Sequence, residues 1–297
     1  MIQPQIEIEF DWHLTNRCNF YCEYCHPHIR KILNSGFLAE PDYETIIKRF
    51  NDIDKPCLIH MSGGEPFLYP NFVEMCKGLT EHHYISINSN LSVHTIPQFV
   101  EYVNPKKVTL ITAAIHQIER ERQGKKLEDY VIHYKMFRDK GFNIKALYIV
   151  FPPLVKVLGQ HIKYLKESGV DNLIAKVFKG VYNGKRYPES YTVEEQEEII
   201  KHAGDYKFNK PYMEGQMTFT GQLCTAGMSS FKINVNGDVQ RCASVKGNYG
   251  NLYEGTFTPT EKPTPCTANR VLVVSQCHRF LVNSPIKVED IQYEEED

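Results

Sequence analysis

The chain reads as an α/β protein with a parallel, barrel-type sheet, followed by a small C-terminal hairpin unit. Three observations predict this. Strand-like and helix-like segments alternate about six times between residues 6 and 202, and parallel neighbours need a crossover, usually a helix. The strands are short and bounded by turns, as barrel strands are. Residues 229–242 alternate in polarity on either side of Asn236-Gly237, a strong hairpin signal.

Residues 6–15 alternate apolar and polar side chains and read as the first strand. A helix is expected over 42–51 with Asp42 as its N-cap, then a short strand at 57–61. Helix 71–80, capped by Asn71, leads to strand 83–88, helix 95–102 and strand 107–113. Helix 127–140 ends at Gly141, and strand 143–150 stops before Pro152-Pro153. Helix 155–167 and strand 172–178 follow, Tyr182 to Lys185 reads as loop, and helix 192–202 closes the alternation. The expected domains are 1–205 and 206–297, with the boundary near 205–215.

The formal net charge of −2 and the absence of any basic run give no footprint for nucleic acid. The first residues lack the basic flank and apolar core of a signal peptide, and no apolar run approaches the length of a membrane span. Nine cysteines without a secretory signal favour metal or redox chemistry in a reducing, cytoplasmic setting over a disulfide framework. The acidic end, Tyr293 to Asp297, reads as a solvated tail.

Directly after the first strand stand Cys18, Cys22 and Cys25, in a C-x3-C-x2-C spacing. A tetranuclear iron–sulfur cluster normally takes four thiolates. Three would leave one iron open to another ligand. Buried or disulfide-forming cysteines, or a zinc site short of a ligand, are the alternatives. After the second strand comes Ser62-Gly63-Gly64-Glu65-Pro66, where two glycines allow close approach of a ligand to the backbone. Asn88-Ser89-Asn90 follows the third strand. In a barrel these three features share the C-terminal rim, where such folds carry their chemistry.

The triplet, with Tyr24 just before its last cysteine, followed by Gly63-Gly64-Glu65-Pro66, resembles the radical S-adenosylmethionine (SAM) enzymes over roughly residues 8–180. The resemblance implies a partial (β/α)6 TIM barrel. It implies that Cys18, Cys22 and Cys25 ligate a [4Fe–4S] cluster whose open iron binds SAM. Cleavage of SAM by an electron then yields a 5′-deoxyadenosyl radical that takes hydrogen from a substrate. It places Tyr24 near adenine, Gly63, Gly64 and Glu65 at the SAM amino group, and Asn88 and Asn90 among the polar SAM contacts. Where many relatives carry a serine and an acid after the fourth strand, this chain has alanines and His116, which is a candidate to face SAM or substrate.

Cys224 precedes the hairpin, Cys242 ends it, and Cys266 and Cys277 follow. The set resembles the SPASM/Twitch extension of radical SAM enzymes in its shorter, single-cluster Twitch form, which implies one auxiliary [4Fe–4S] cluster. The ten residues between Cys266 and Cys277 depart from the usual closer spacing, and a four-cysteine zinc site is the rival. Cys57 and Cys76 read as buried inert thiols. The expected function is a radical SAM oxidation, a dehydrogenation or crosslink, of a small molecule or a peptide. A flavodoxin or ferredoxin would supply the electron. Radical group transfer and a non-catalytic iron–sulfur or zinc protein are the other readings.

Overall fold

The computed structural model describes residues 6–25, 31–34, 41–202, 219–268 and 280–282. The boundary expected near 205–215, and Cys277, lie outside them. Six parallel strands run side by side in chain order: β1 (Ile8–Thr15), β2 (Cys57–Gly63), β3 (Tyr84–Ser89), β4 (Val108–Ala114), β5 (Ile144–Val150) and β6 (Leu173–Val177). The crossovers carry α1 (Tyr43–Asn51), α2 (Phe72–His82), α3 (Ile96–Tyr102), α4 (Gln117–Arg122), α5 (Leu127–Asp139) and α6 (Leu158–Glu167). The sheet is open, with β6 at one edge, as a partial barrel requires.

Alternation within each strand builds the layers. In β1, Phe10, Trp12 and Leu14 are fully buried and belong to the main core, while Glu9 and Asp11 take the other face. That second face is polar: His60 on β2 bonds Ser86 on β3 at 2.6 Å and Glu9 at 3.2 Å. Two helices start where a short polar side chain serves the first turn. Asp42 accepts from the Thr45 amide at 2.8 Å. A reciprocal Thr192–Glu195 capping box opens α7 (Val193–Ile200).

Several expectations need correction. Asn71 occupies the cap position of α2, but with a left-handed backbone (φ 52°) and no side-chain cap bond. The segment expected as helix from 155 is a 3-10 turn over Pro152–Val157, where two prolines begin the turn, and the α-helix starts at Leu158. Asn183-Gly184 is the turn of a small hairpin, β7 (Gly180–Tyr182) and β8 (Lys185–Tyr187), rather than plain loop. The short helix α4 follows β4 without warning from apolar periodicity.

The C-terminal hairpin, β10 (Ser230–Ile233) and β11 (Val239–Gln240), does not stand apart from the barrel. Strand β10 pairs in parallel with β1 from Glu9↔Ser230 to Trp12↔Ile233, extending the sheet to eight strands. Phe231 stacks on Phe10 at 5.7 Å, and Trp12 donates its indole N–H to the Tyr253 hydroxyl at 3.2 Å. Strands β9 (Leu223–Cys224) and β12 (Thr264–Pro265) form a separate two-stranded ribbon. Among the described residues no helix is long and apolar enough to cross a membrane.

Because Phe231 joins hairpin to barrel, Phe231→Ala should cost about 3–5 kcal/mol, the usual loss for a buried aromatic. Trp12, the only tryptophan, reports the transition by fluorescence. One cooperative transition moved to lower denaturant is expected. An unmoved Trp12 transition would show that the hairpin and barrel are energetically separate.

Candidate functional site

The cysteine loop begins where β1 and β2 stop pairing regularly, between His13 and Thr15. Beyond that point the Gly63-Gly64-Glu65 turn continues the ladder in a different way. The Gly64 amide donates to the Thr15 carbonyl and the Glu65 amide to the Arg17 carbonyl, both at 2.7 Å. Gly63 has φ 140°, and a Cβ on Gly64 would collide with the Arg17 carbonyl. The two glycines therefore let the second strand's end press against the peptide that enters Cys18. Asn34 holds the same peptide from the other side, accepting from the Cys18 amide at 3.1 Å and donating to its carbonyl at 3.0 Å.

Within the loop the Phe20 amide donates to Cys18 Sγ at 3.4 Å, and the Cys25 amide to the Cys22 carbonyl at 3.1 Å. Burial pushes the Cys18 thiol up to about 12 and Cys22 higher still; Cys25 adds to the rise at Cys18, and Glu119, Cys18 and Cys25 to the rise at Cys22. Thiols crowded out of water in this way are readily held as thiolates by irons, whose charge reverses the local preference. They do not converge on a point: among the described residues no three ligand-type side chains are gathered as for a single metal ion. Three thiols on one short loop are the donor type that a polynuclear iron–sulfur cluster takes, so the loop's donor chemistry fits one.

Glu65 is buried, and its carboxylate is fully engaged by the protein. Oε1 accepts from Ser89 Oγ at 2.8 Å and the Phe67 amide at 3.2 Å; Oε2 accepts from the Asn90 amide at 2.7 Å. Burial pushes Glu65 up to about 7, against those three donors and the nearby Arg120 charge. Asn90 is equally committed. Its side chain donates to Asn19 Oδ1 at 2.9 Å and accepts from the Ser92 amide at 2.9 Å, while its carbonyl accepts from Arg120 Nη2. Asn88 is exposed on the polar strand face, in register with Thr112. Of the expected SAM contacts, Glu65 and Asn90 thus turn their side chains to the rim itself, and Asn88 turns to open space.

Tyr24 and His116 form a pair. The tyrosine hydroxyl meets His116 Nδ1 at 3.0 Å, the rings lie 5.7 Å apart, and Phe151 backs Tyr24 at 4.9 Å. Burial, then Arg120, lowers His116 to about 4, so it is neutral at ordinary pH. Its backbone is left-handed (φ 52°), which swings the chain from β4 into α4.

The second thiol set gathers in its own small core. Cys224 and Cys266 are buried with Phe219, Ala226, Ala268 and Leu281, and Cys242 packs against them. Arg241 fastens the segments together: Nε donates to the Ala226 carbonyl at 3.0 Å, Nη1 to Pro265 at 2.9 Å and Nη2 to Thr264 at 2.8 Å. The Ala226 amide donates to Cys224 Sγ at 3.5 Å and the Val245 amide to Cys242 Sγ at 3.2 Å. Leu281 bridges Cys224, and the Thr225 amide donates to the Phe280 carbonyl at 2.8 Å. This sets Phe280 and Leu281 beside Cys224 and Thr225.

The family model that matches is the radical SAM superfamily, over residues 12–165, more than half of the chain. The chain belongs to the radical SAM superfamily. Membership implies a [4Fe–4S] cluster and SAM, and makes the protein an enzyme of that class. An uncharacterised protein of Methanocaldococcus jannaschii is 22% identical over 278 residues, covering 88% of this radical SAM chain and 94% of the relative. A probable GTP 3′,8-cyclase of Methanocella arvoryzae is 27% identical over 164 residues, covering 54% of the chain and 50% of that protein.

Two solved radical SAM structures share the fold. Native anSMEcpe with bound AdoMet and Cp18Cys peptide superposes with a TM-score of 0.56 at 16% identity, over 85% of this chain and 80% of that one. SuiB of Streptococcus suis bound to S-adenosylmethionine gives 0.56 at 13% identity, over 84% and 64%. At such identities the likeness establishes the fold and nothing finer.

Sequence reasoning missed Glu119, Arg120 and Gln123 as parts of these sites, and assigned no role to Asn19, Ser89 and Arg241, which lie within or beside the cysteine-loop, Asn88–Asn90 and hairpin motifs. Removing the Glu65 carboxylate leaves three donors without an acceptor. Glu65→Ala should therefore lower the stability of the iron-free protein by about 3 kcal/mol, read by chemical denaturation. A loss below about 0.5 kcal/mol would show that the carboxylate is free for a ligand instead.

Proposed function

We propose that this radical SAM enzyme catalyses a net oxidation, a dehydrogenation or a crosslink, with a second cluster held by Cys224, Cys242, Cys266 and Cys277. The observation that carries this reading is the contrast between two thiol sites. One is a three-thiol loop on the barrel rim with no fourth thiol beside it among the described residues. The other gathers three described cysteines in a small apolar core, with Leu281 paired onto Cys224. The first suits a cluster with an open iron and the second a closed, fully ligated one.

When bound at the first site, the cluster and SAM supply a 5′-deoxyadenosyl radical that removes hydrogen from the substrate. The chain's own residues bind and orient. The bare backbone at Gly63 and Gly64 lets the end of β2 close onto the peptide entering Cys18 and so fixes the loop beside the rim. Tyr24, held between His116 and Phe151, offers a flat ring beside the loop for adenine, and exposed Asn88 faces the polar interior as a contact for SAM. A peptide substrate is supported by two neighbours of the same fold, anSMEcpe crystallised with Cp18Cys peptide and SuiB with its precursor peptide SuiA. A small metabolite is the alternative. A flavodoxin or ferredoxin would deliver the electron.

Anaerobically reconstituted protein should convert SAM to 5′-deoxyadenosine under strong reductant, and changing Cys18, Cys22 and Cys25 to Ala should abolish the product while about four irons remain. Iron-loaded protein that makes no 5′-deoxyadenosine would instead support a non-catalytic iron–sulfur protein. A folded triple variant without iron would remove the second cluster from the account.

A further inference from the structure

The three residues between the first two cysteines are each held by a side chain from one short segment, about 100 positions away in sequence. Gln123 Nε2 donates to the Asn19 carbonyl at 2.9 Å. The Arg120 guanidinium lies over the Phe20 ring at 5.4 Å. The Tyr21 amide donates to Glu119 Oε1 at 2.9 Å. All three side chains belong to α4 or to the residue that ends it, a helix of six residues that is too short to persist by itself.

Glu119 is the unusual member. It is 3% exposed, and a buried carboxylate is costly unless donors surround it. Here they do: besides the Tyr21 amide it takes Arg122 Nε at 2.9 Å, Arg122 Nη2 at 2.6 Å and Gln123 Nε2 at 2.6 Å. Arg122 is itself well exposed, so this ion pair adds little to stability. A helix residue serving only the fold has no need to carry a buried charge to the backbone of a distant loop.

We infer that Glu119 is a positioning residue for the cluster loop: with Gln123 and Arg120 it clamps Asn19-Phe20-Tyr21 and so sets the placement of the Cys18 and Cys22 thiolates. The inference rests on the reading of Cys18, Cys22 and Cys25 as cluster ligands. Clamped, the loop presents its thiols in one arrangement. Released, it lets ligands leave the irons more readily and exposes them to competing chelators. The Glu119 carboxylate lies against the amide of Tyr21, the residue next to Cys22, so the clamp bears on the electrons of the cluster as well as on its shape.

The test uses the reconstituted full chain and follows the reduced-cluster electron paramagnetic resonance signal that changes when SAM is added, which singles out the rim cluster. Its decay is timed against excess EDTA. Glu119→Ala removes the acceptor for the Tyr21 amide and should accelerate decay about tenfold or more, the usual scale for a lost hydrogen bond to a charged group. Glu119→Gln keeps an acceptor and should stay within about threefold of wild type, with its midpoint potential moved to a more positive value because a negative charge is gone. Gln123→Ala, at an exposed position that does not threaten folding, should accelerate decay by a smaller factor. The signal of the second cluster should decay as in wild type throughout. Decay of the rim signal unchanged in Glu119→Ala and Gln123→Ala, or equal acceleration at both clusters, would overturn the clamp. A wild-type protein with no SAM-responsive signal would overturn the ligand reading beneath it, and the clamp with it.

Discussion

The rim of this barrel depends on one buried arrangement of opposite charges joined through backbone. Glu65 accepts from the Asn90 amide, and Arg120 donates to the Asn90 carbonyl, so carboxylate and guanidinium compensate each other across a single residue. Neither has a direct partner of opposite charge among the salt bridges of the described residues, and either left by itself would be a buried charge without compensation. The arrangement ties together the ends of β2 and β3 and the start of α4. Asn90 then reaches Asn19 in the cysteine loop, and Arg120 reaches Phe20, so the loop's position follows from the same contacts.

That constraint changes what the Gly-Gly-Glu-Pro turn does. Its glycines admit the Arg17–Cys18 backbone, and its glutamate braces the neighbouring strand end. The side chains of Glu65 and Asn90 shape the space in which SAM would lie by holding its walls. Tyr24 and His116, bonded to each other, complete the wall on the side of β4 and β5. The rim's motifs are thus one connected framework rather than separate contacts for one ligand.

The strands and most helices were legible in the sequence because two periodicities, two and 3.6, match one-sided burial, and because Asp42 and Thr192 mark helix starts locally. The cysteine triplet and the glycine turn were legible as motifs, since their chemistry depends on spacing along the chain. What was hidden depends on contacts between distant positions. Residues 117–122 (QIERER) show no apolar face, and nothing local says that Glu119 and Arg120 are buried against a loop about 100 residues earlier. Nor does the Asn236-Gly237 hairpin signal reveal that β10 lies beside β1 and shares its aromatic core; strand pairing between chain ends leaves no local trace. Arg241 shows the same limit, because its three carbonyl partners come from two separate segments.

Two thiol sites divide the chain: a partly buried rim loop with Cys18, Cys22 and Cys25, and a small apolar core with Cys224, Cys242 and Cys266. The claim on which the rest stands is that SAM binds directly to the open iron held by Cys18, Cys22 and Cys25. It is tested most directly by hyperfine spectroscopy of the reduced protein with SAM labelled at its amino nitrogen. A nitrogen coupling to the cluster, lost when Cys18, Cys22 and Cys25 are changed to Ala, is the predicted result. A reduced cluster whose spectrum ignores labelled SAM, in protein that carries its full iron, would contradict it.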